Sequence, residues 1–206
     1  MTRTNDDRER WAVRHAGADN RDLAPSTWVM AACARIPAHH TIVDIAAGTG
    51  RHAAPLARQR RTIIAVDFVE LAVQHAVRGH AGVHGVVADV WSLPLRTASI
   101  HALVIANFLE RALFKDLKAL LSPGGFLVYE TYTVDHRQLV EAGRARAPRC
   151  AAHLLEPGEL AMLVAPFAIL EYREGYVNDE AGERYCASVF AREPGEEQHA
   201  DTQAGE

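Results

Sequence analysis

Apolar runs and helical stretches alternate regularly along the middle of this chain. The apolar runs end in turn residues and predict strands, while the stretches between them carry apolar residues at helical spacing. The predicted strands cover 41–46, 61–66, 83–88, 99–106 and 126–132, and the predicted helices cover 51–60, 68–78 and 111–121. Because strands that alternate with helices pair in parallel through right-handed crossovers, we predict an α/β protein with a doubly wound sheet.

The pattern changes on both sides of this region. Before it, a helix is predicted over 27–36, with Ser26 as its N-cap. After it, the alternation fails over 133–155, where arginines outnumber acids. A short helix over 159–164 then precedes two alternating segments, 167–174 and 185–191, which predict an antiparallel pair at the sheet edge.

These changes set the expected domain limits. We predict a flexible N-terminus over 1–10 and a single domain over 11–192. Within that domain, residues 133–165 are predicted to form an insertion or lid on the substrate side. The acidic residues 193–206 are predicted to be a disordered tail.

The first strand of the alternating region leads into small residues and two glycines. Residues 41–51 read TIVDIAAGTGR, so the strand is followed by a tight turn and the start of a helix. Glycine adopts the backbone angles of such a turn and lets a ligand approach closely. The free N–H groups of the helix start favour an electronegative group. We infer that this turn binds a nucleotide-like molecule.

Two classes of cofactor fit the turn. Residues 48–53, GTGRHA, match the dinucleotide pattern G-x-G-x-x-G/A, which carries little weight alone. Asp44 lies inside the apolar strand, four residues before Gly48. A buried carboxylate needs hydrogen bonds or a cationic partner, and it would repel a pyrophosphate placed at the turn. A cationic cofactor accounts for Asp44, and so does a role in bracing the turn.

Polar residues also follow the next three strands, as Asp67, Asp89 and Asn107. Open α/β sheets bind ligands at the carboxyl ends of their strands. Asp67 lies 17 residues after Gly50, where an acid can bind the two ribose hydroxyls. Asp89 can accept a hydrogen bond from an adenine amino group. The alternative for each Asp is a helix cap.

Together these features resemble the class I S-adenosylmethionine (SAM) methyltransferases. Residues 44–50 fit that family's motif D-x-x-x-G-x-G, and the Pro-Gly-Gly turn at 123–125 and the antiparallel final pair fit as well. The resemblance implies a Rossmann-like, seven-stranded sheet that is mostly parallel with an antiparallel final pair, and SAM as the cofactor. The cofactor contacts that it implies are Asp44, Ala46, Gly48, Gly50, Asp67, Phe68, Ala88, Asp89, Val90 and Asn107.

Shorter stretches narrow the resemblance to small bacterial methyltransferases of the tellurite-resistance and thiopurine types. They are NFLER at 107–111, PGGFLVYET at 123–131, HLL at 153–155, PGEL at 157–160 and REG at 173–175. Relatives in that group carry W-x-x-R-Y near the N-terminus. Here Trp11 and Arg14 fit that motif and His15 stands in place of the Tyr. The resemblance therefore adds Arg14 to the expected cofactor contacts.

Four further residues are expected to face the methyl acceptor, namely Arg111, Glu130, Tyr132 and His153. Methyl transfer is an in-line displacement, for which the protein supplies alignment, desolvation and, when the nucleophile needs one, a base. Arg111 begins a predicted helix, where its charge opposes the helix dipole, which indicates a second role such as anion binding. A salt bridge to Glu130 or Glu110 is the alternative.

The acceptor is expected to be a small molecule, such as a thiol, a chalcogen oxyanion or a carboxylate. An NAD(P)-dependent oxidoreductase and a non-catalytic SAM-binding module are the alternatives. The net charge of −4 gives no electrostatic argument for a nucleic-acid or membrane partner. We make no choice between a monomer and a dimer.

Cysteine and histidine usage bears on the compartment. Three widely spaced cysteines and 11 scattered histidines argue against a disulfide framework or a metal site and favour a reducing cytoplasm. No apolar run is long enough to span a bilayer, and the polar start MTRTNDDRER is not typical of a signal peptide. We expect a cytoplasmic protein without a metal.

Overall fold

The structure, a computed structural model, describes residues 9, 11–13, 24–145, 148 and 150–195. Arg14, nearly all of the predicted N-terminal segment and most of the predicted tail lie outside the described residues.

One seven-stranded sheet organises the described part of the chain, in the order β3-β2-β1-β4-β5-β7-β6. The pairs among β1 to β5 are parallel, whereas β7 runs antiparallel to both β5 and β6. The predicted fold class is confirmed. The strands are β1 (Ile42–Ile45), β2 (Ile63–Asp67), β3 (Val83–Val87), β4 (Ile100–Ala106), β5 (Leu121–Tyr132), β6 (Ala168–Asp179) and β7 (Gly182–Arg192).

Helices cover both faces of this sheet. They are α1 (Thr27–Ala34), α2 (Ala53–Arg58), α3 (Glu70–Val77), α4 (Phe114–Leu120), α5 (His136–Glu141) and α6 (Glu159–Leu163), with 3-10 turns at Arg111–Leu113 and Ala151–His153. α1 begins where the sequence predicts, because the Oγ atom of Ser26 accepts a hydrogen bond from the backbone N–H of Val29. Most other predicted helices are shortened by one to three residues at their ends.

The core lies in two layers, one on each face of the sheet. The central strand β1 is buried on both faces, as expected of a parallel strand between two helical layers. Its side chains alternate, so that Ile45 packs with β4 and α4 on one face, while Ile42 packs with α1 on the other. Each fully buried aliphatic side chain contributes about 1.5–3 kcal/mol. This packing fixes the carboxyl ends of β1 and β4 side by side.

The start of β5 departs from the sequence prediction. The strand was expected over 126–132 after a turn, but β5 already begins at Leu121 and contains that turn as an irregularity in its pairing with β4. Gly124 has a φ of +76°, and a Cβ atom on Gly125 would lie 2.9 Å from the carbonyl oxygen of Ser122. The glycines therefore let the chain bulge without leaving the sheet.

The segment predicted to be irregular, 133–155, is anchored at its far end. α5 lies within it, and Leu155 forms an isolated parallel bridge with Thr133, just after β5. The N–H of Leu155 also donates to the carbonyl oxygen of Tyr132 at 2.9 Å. The segment thus leaves the sheet and returns to it at the same strand end.

Candidate functional site

A crevice opens between the carboxyl ends of β1 and β4, where the strand order reverses. Ala46 follows β1 and Asn107 follows β4, and both have left-handed backbone angles with a φ of 56°. That conformation is strained for residues other than glycine, and such strain is concentrated at functional sites. Crevices of this kind are where open α/β sheets bind their ligands. The structure therefore places both predicted cofactor residues at the expected edge of the sheet.

The glycine turn after β1 packs directly against α3. Gly48 and Gly50 both have positive φ values, of 57° and 84°. A Cβ atom built on Gly50 would lie 2.8 Å from both Cα and Cβ of Ala76, which is closer than any real contact of this type. Gly50 is thus needed twice, for the backbone angle and for the approach of the helix.

Asp67 joins the end of β2 to the glycine turn. Its Oδ2 atom accepts a hydrogen bond from the N–H of Gly48 at 2.9 Å, and its Oδ1 atom accepts one from the N–H of Val69 at 2.9 Å. The carboxylate is buried, yet each oxygen keeps a second lone pair for a ligand. A brace for the turn and a contact to a ribose are compatible roles for this side chain.

The end of β3 lies beside Asp67, since the N–H of Ala88 donates to the carbonyl oxygen of Asp67. Asp89 closes a local turn there, because its Oδ1 atom accepts a hydrogen bond from the N–H of Trp91 at 3.1 Å. The structure does not show the helix cap weighed for Asp89, because no helix begins between 90 and 99; the side chain closes a local turn instead. Phe68 and Val90 are half-buried at the same edge and offer apolar surface to a flat ring.

Asp44 is a buried carboxylate with one oxygen that lacks a hydrogen bond. It is 1% exposed, and its Oδ2 atom has no hydrogen-bond partner. The pKa of this carboxyl is raised to about 7, mainly by burial and also by the charge of Asp67, while Arg51 opposes the shift. A ligand that brings an ammonium group to this place would satisfy the carboxylate. The orphaned oxygen therefore fits a cationic cofactor such as SAM.

Arg51 is a functional candidate that the sequence reasoning missed. Its guanidinium is largely buried, and burial lowers its pKa, although the neighbouring charges of Glu130 and Asp44 favour the cation. It forms no hydrogen bond or close ion pair with any residue that the structure describes. An arginine just before a short helix opposes the helix dipole, and that signal could have identified Arg51 as it did Arg111.

Arg111 has a different partner from the ones expected. Its Nε and Nη2 atoms donate to the two carboxylate oxygens of Glu159 at 2.5 and 2.8 Å. Nη1 and Nη2 also donate to the carbonyl oxygens of Ala152 and Leu154. The salt bridge expected to Glu130 or Glu110 is thus formed to Glu159 instead. Arg111 holds the returning end of the 133–155 segment against α6.

Glu130 lies within a buried ionic network rather than standing free. Its Oε2 atom accepts hydrogen bonds from Arg173 and from the hydroxyl of Ser188, both at 2.9 Å. Its Oε1 atom accepts one from Arg184 at 3.3 Å. Removing a partner from such a network leaves a buried charge, so these contacts hold β5 to β6 and β7.

The same network extends to the start of α1. Arg184 binds the carboxylate of Asp179 at 2.6 Å and the hydroxyl of Ser26 at 3.1 Å. The N–H of Ser26 donates to Nε2 of His52, next to the glycine turn. The pKa of His52 is lowered to about 3, mainly by burial and also by Arg51 and Arg184, so the imidazole is neutral and can accept that bond.

Comparisons with known proteins agree with this geometry. Residues 42–125 match the family described as "Methyltransferase domain". A ubiquinone/menaquinone biosynthesis C-methyltransferase from Rubrivivax gelatinosus is 36% identical over 99 residues, which are 45% of this chain and 39% of that protein. The residues that match the family model, 42–125, reach from β1 into the bulge of β5 and include both sides of the crevice.

Solved structures extend the likeness across the whole fold. A SAM-dependent methyltransferase from Methanosarcina mazei matches with a TM-score of 0.68 and 18% identity, covering 84% of this chain and all of that one. TehB from Haemophilus influenzae matches with a TM-score of 0.61 and 17% identity, covering 80% of this chain and 61% of that one.

Residues 42–125 resemble a methyltransferase domain, and the seven-stranded sheet has the fold of the SAM-dependent methyltransferases that it matches. The resemblance predicted from the sequence is confirmed over these residues, and it favours SAM over a dinucleotide as the cofactor. The chain spans only 32–39% of the length of two curated relatives that it matches. The substrates of those whole proteins are therefore not assigned to this chain.

On the acceptor side of the crevice, the four predicted residues have different surroundings. Tyr132 is half-buried, packs its ring on His136 at 4.4 Å between ring centres, and lies within the electrostatic reach of Arg51. Glu130 is turned into the ionic network, Arg111 reaches the Glu159 carboxylate, and His153 is exposed in its 3-10 turn. The catalytic roles of all four residues stay predictions. Among them, the pKa of Tyr132 is affected by the charge of Arg51.

Two further properties of the described residues concern membranes and metal ions. None of the described helices is both long and apolar enough to cross a bilayer. Within the same residues, His, Cys, Asp and Glu side chains do not come together in groups of three that could bind a metal ion.

Proposed function

We propose that this methyltransferase transfers the methyl group of SAM to a small acceptor that is itself an anion. Thiolates, carboxylates and chalcogen oxyanions are the members of that class. The observation that carries the proposal is the largely buried Arg51 guanidinium, which forms no hydrogen bond or close ion pair with a described residue although it lies next to the glycine turn. Glu130 and Asp44 favour its charge only at longer range, so an anionic ligand in direct contact would stabilise it further.

The scarcity of a free base supports the same class of acceptor. Both carboxylate oxygens of Glu130 are occupied by hydrogen bonds, and burial raises the pKa of Tyr132, so its phenol is neutral near pH 7. An amine or alcohol acceptor needs a base to remove its proton, whereas a preformed anion does not. The residues around Arg51 therefore suit an acceptor that arrives deprotonated.

Each residue then has a defined task. The bound cofactor supplies a methyl group on a sulfonium, which is already activated for displacement. Asp44 accepts from the cofactor's ammonium group, and Asp67 binds its ribose. Asn107 and Ala46 shape the crevice between the strand ends. Arg51 orients the acceptor, and the neutral Tyr132 hydroxyl donates a hydrogen bond to it.

The test is a comparison of acceptor classes with purified protein. Formation of S-adenosylhomocysteine is measured with thiols, carboxylates and selenite, and with amines, alcohols and an activated carbon acid as contrasts. We expect turnover in the anionic set, and an Arg51→Gln protein should lose at least tenfold in kcat/KM with an unchanged Kd for SAM. Arg96→Gln, an exposed arginine elsewhere on the surface, is the matched control.

Two outcomes would overturn the proposal. Turnover confined to amines or alcohols would remove the anionic acceptor. Tight SAM binding without turnover across the whole panel would favour the non-catalytic binding module instead.

A further inference from the structure

A pocket of about 520 Å³ lies on the helix side of the glycine turn, between α2 and the end of α3. It is lined by Thr49 and Gly50 of the turn and by a set of basic side chains, which are Arg51, Arg58, His75, Arg78 and His80. No acidic residue is among the described residues that line it. We call it the cationic pocket.

The arginines of the cationic pocket lack the partners that other arginines have. Arg111, Arg173 and Arg184 each bind carboxylates. In contrast, Arg51, Arg58 and Arg78 form no hydrogen bond or ion pair through their side chains to any described residue. Arg58 and Arg78 are exposed, and several like charges around one pocket raise the local positive potential, which favours a bound anion.

The size of the pocket points in the same direction. The pocket's volume lies in the range of small-molecule sites.

We infer that the cationic pocket is a second ligand site, for a small molecule that carries one or more phosphate groups. Guanidinium groups match phosphate oxygens with two parallel hydrogen bonds, and several of them around one cavity suit a polyanion better than a single carboxylate. Arg51, to which the proposed function assigns the acceptor, also lines this pocket. The inference is therefore tested on Arg58 and Arg78, which the proposed function does not use.

The probes for the test are inorganic pyrophosphate and AMP, added to the full-length protein in low salt. Calorimetry should detect binding of at least one of them with saturating sinefungin present, because the cofactor crevice is then filled. Binding to both would assign the site to the phosphate itself, and binding to AMP alone would assign it to a nucleotide. The affinity should fall as salt is raised, as expected of charge-assisted contacts.

Variants separate the pocket from a general effect of surface charge. The double variant Arg58→Gln/Arg78→Gln should weaken probe binding by about tenfold or more, while its Kd for SAM stays at the wild-type value. Arg96→Gln and Arg60→Gln each remove one arginine outside the pocket's described lining and should leave probe binding unchanged.

Three results would overturn the inference. They are no binding of either probe at millimolar concentration, equal binding by wild type and the double variant, and complete displacement of the probe by sinefungin. The last would place the anion in the cofactor crevice. SAM binding and methyl transfer are measured separately from probe binding. Loss of the phosphate site would therefore leave the proposed function intact, and loss of the proposed function would leave the phosphate site intact.

Discussion

The Oδ2 atom of Asp67 accepts a hydrogen bond from the backbone N–H of Gly48 at 2.9 Å, which ties the end of β2 to the glycine turn after β1. The residue expected to bind the cofactor's ribose is therefore also part of the frame that shapes the turn. Substitutions of Asp67 will affect both roles, and an experiment must separate them.

For Asp67→Asn we expect the Kd for SAM to rise tenfold or more. A charge-assisted hydrogen bond contributes roughly 1.5–3 kcal/mol, and the amide retains only one accepting oxygen. Calorimetry on the variant and on Asp116→Asn, an exposed Asp of α4, provides the comparison.

A 2′-deoxy analogue of S-adenosylhomocysteine separates the two roles of Asp67. Wild type should bind the deoxy compound more weakly than the parent, and Asp67→Asn should discriminate less, since the lost contact is the same one. If both proteins discriminate equally, Asp67 serves the turn only.

Gly50→Ala should be much more destabilising than Gly79→Ala. Both glycines have a positive φ, of 84° and 76°, so both variants carry the strain of a left-handed alanine, about 1–2 kcal/mol. Only at Gly50 does the new Cβ atom meet Ala76, whereas nothing lies within 4 Å of the Cβ position at Gly79. Overpacking adds about 1–3 kcal/mol. Equal midpoints of urea unfolding in the two variants would show that α3 moves aside without cost.

The raised pKa of Asp44 should make the free energy of unfolding of the cofactor-free protein depend on pH. Its folded pKa of about 7 lies above the ordinary value of 3.8, so between those values the folded state holds a proton that the unfolded state releases. The free energy of unfolding from this group is therefore highest below about pH 4 and falls as the pH rises to about 7. The full change, about 1.4 kcal/mol for each pKa unit, is on the order of 4 kcal/mol.

The Asp44→Asn protein should lack this slope. Because the amide carries no charge to bury, the variant should gain stability over wild type as the pH is raised from 5 to 8, and it should bind SAM more weakly. Urea unfolding at several pH values without cofactor tests this, with Asp116→Asn as the control. Parallel pH profiles for wild type and Asp44→Asn would mean that Asp44 is charged or already neutralised in both states.

Arg111→Lys should lower stability rather than impair methyl transfer. Lysine keeps the charge but cannot bind both oxygens of Glu159 and the carbonyl oxygens of Ala152 and Leu154 together. The side chain is 38% exposed, so we discount the ion pair and expect about 1 kcal/mol, or 2–4 °C in Tm. Arg137→Lys, on the exposed side of α5, is the control.

A different result would reassign Arg111. If its substitution by Lys reduced turnover tenfold or more at an unchanged Tm, the residue would act on the acceptor rather than on the 133–155 segment. The Kd for SAM is expected to match wild type in either case.

The alternation of strands and helices was sufficient to predict the sheet, because burial on one or both faces leaves a periodic signal in each element. The turn after β1 and the acids after β2 and β3 could be identified for a similar reason, since they follow strand ends directly. The start of β5 was missed because a Pro-Gly-Gly sequence is typical of a turn, and only the pairing with β4 keeps it in the sheet.

The partners of the charged side chains could not be predicted in this way. Glu130 is held by arginines 43 and 54 residues further along the chain, on strands whose register with β5 is set by tertiary packing. Arg111 similarly reaches a glutamate 48 residues away. Each of these residue types suits catalysis and structure equally well, so sequence spacing alone favoured the wrong partners for Arg111.

The returning segment after β5 has a consequence for how this protein can diversify. Thr133 and Leu155 bridge at one strand end, and Arg111 fastens the carbonyl oxygens just before that bridge. A stretch whose two ends meet at one point can change in length at little cost in loop-closure entropy. The N–H of Tyr185 donates to Nδ1 of His136, which holds α5 to β7, so the variation that would admit new acceptors is expected after α5, with the cofactor frame unchanged.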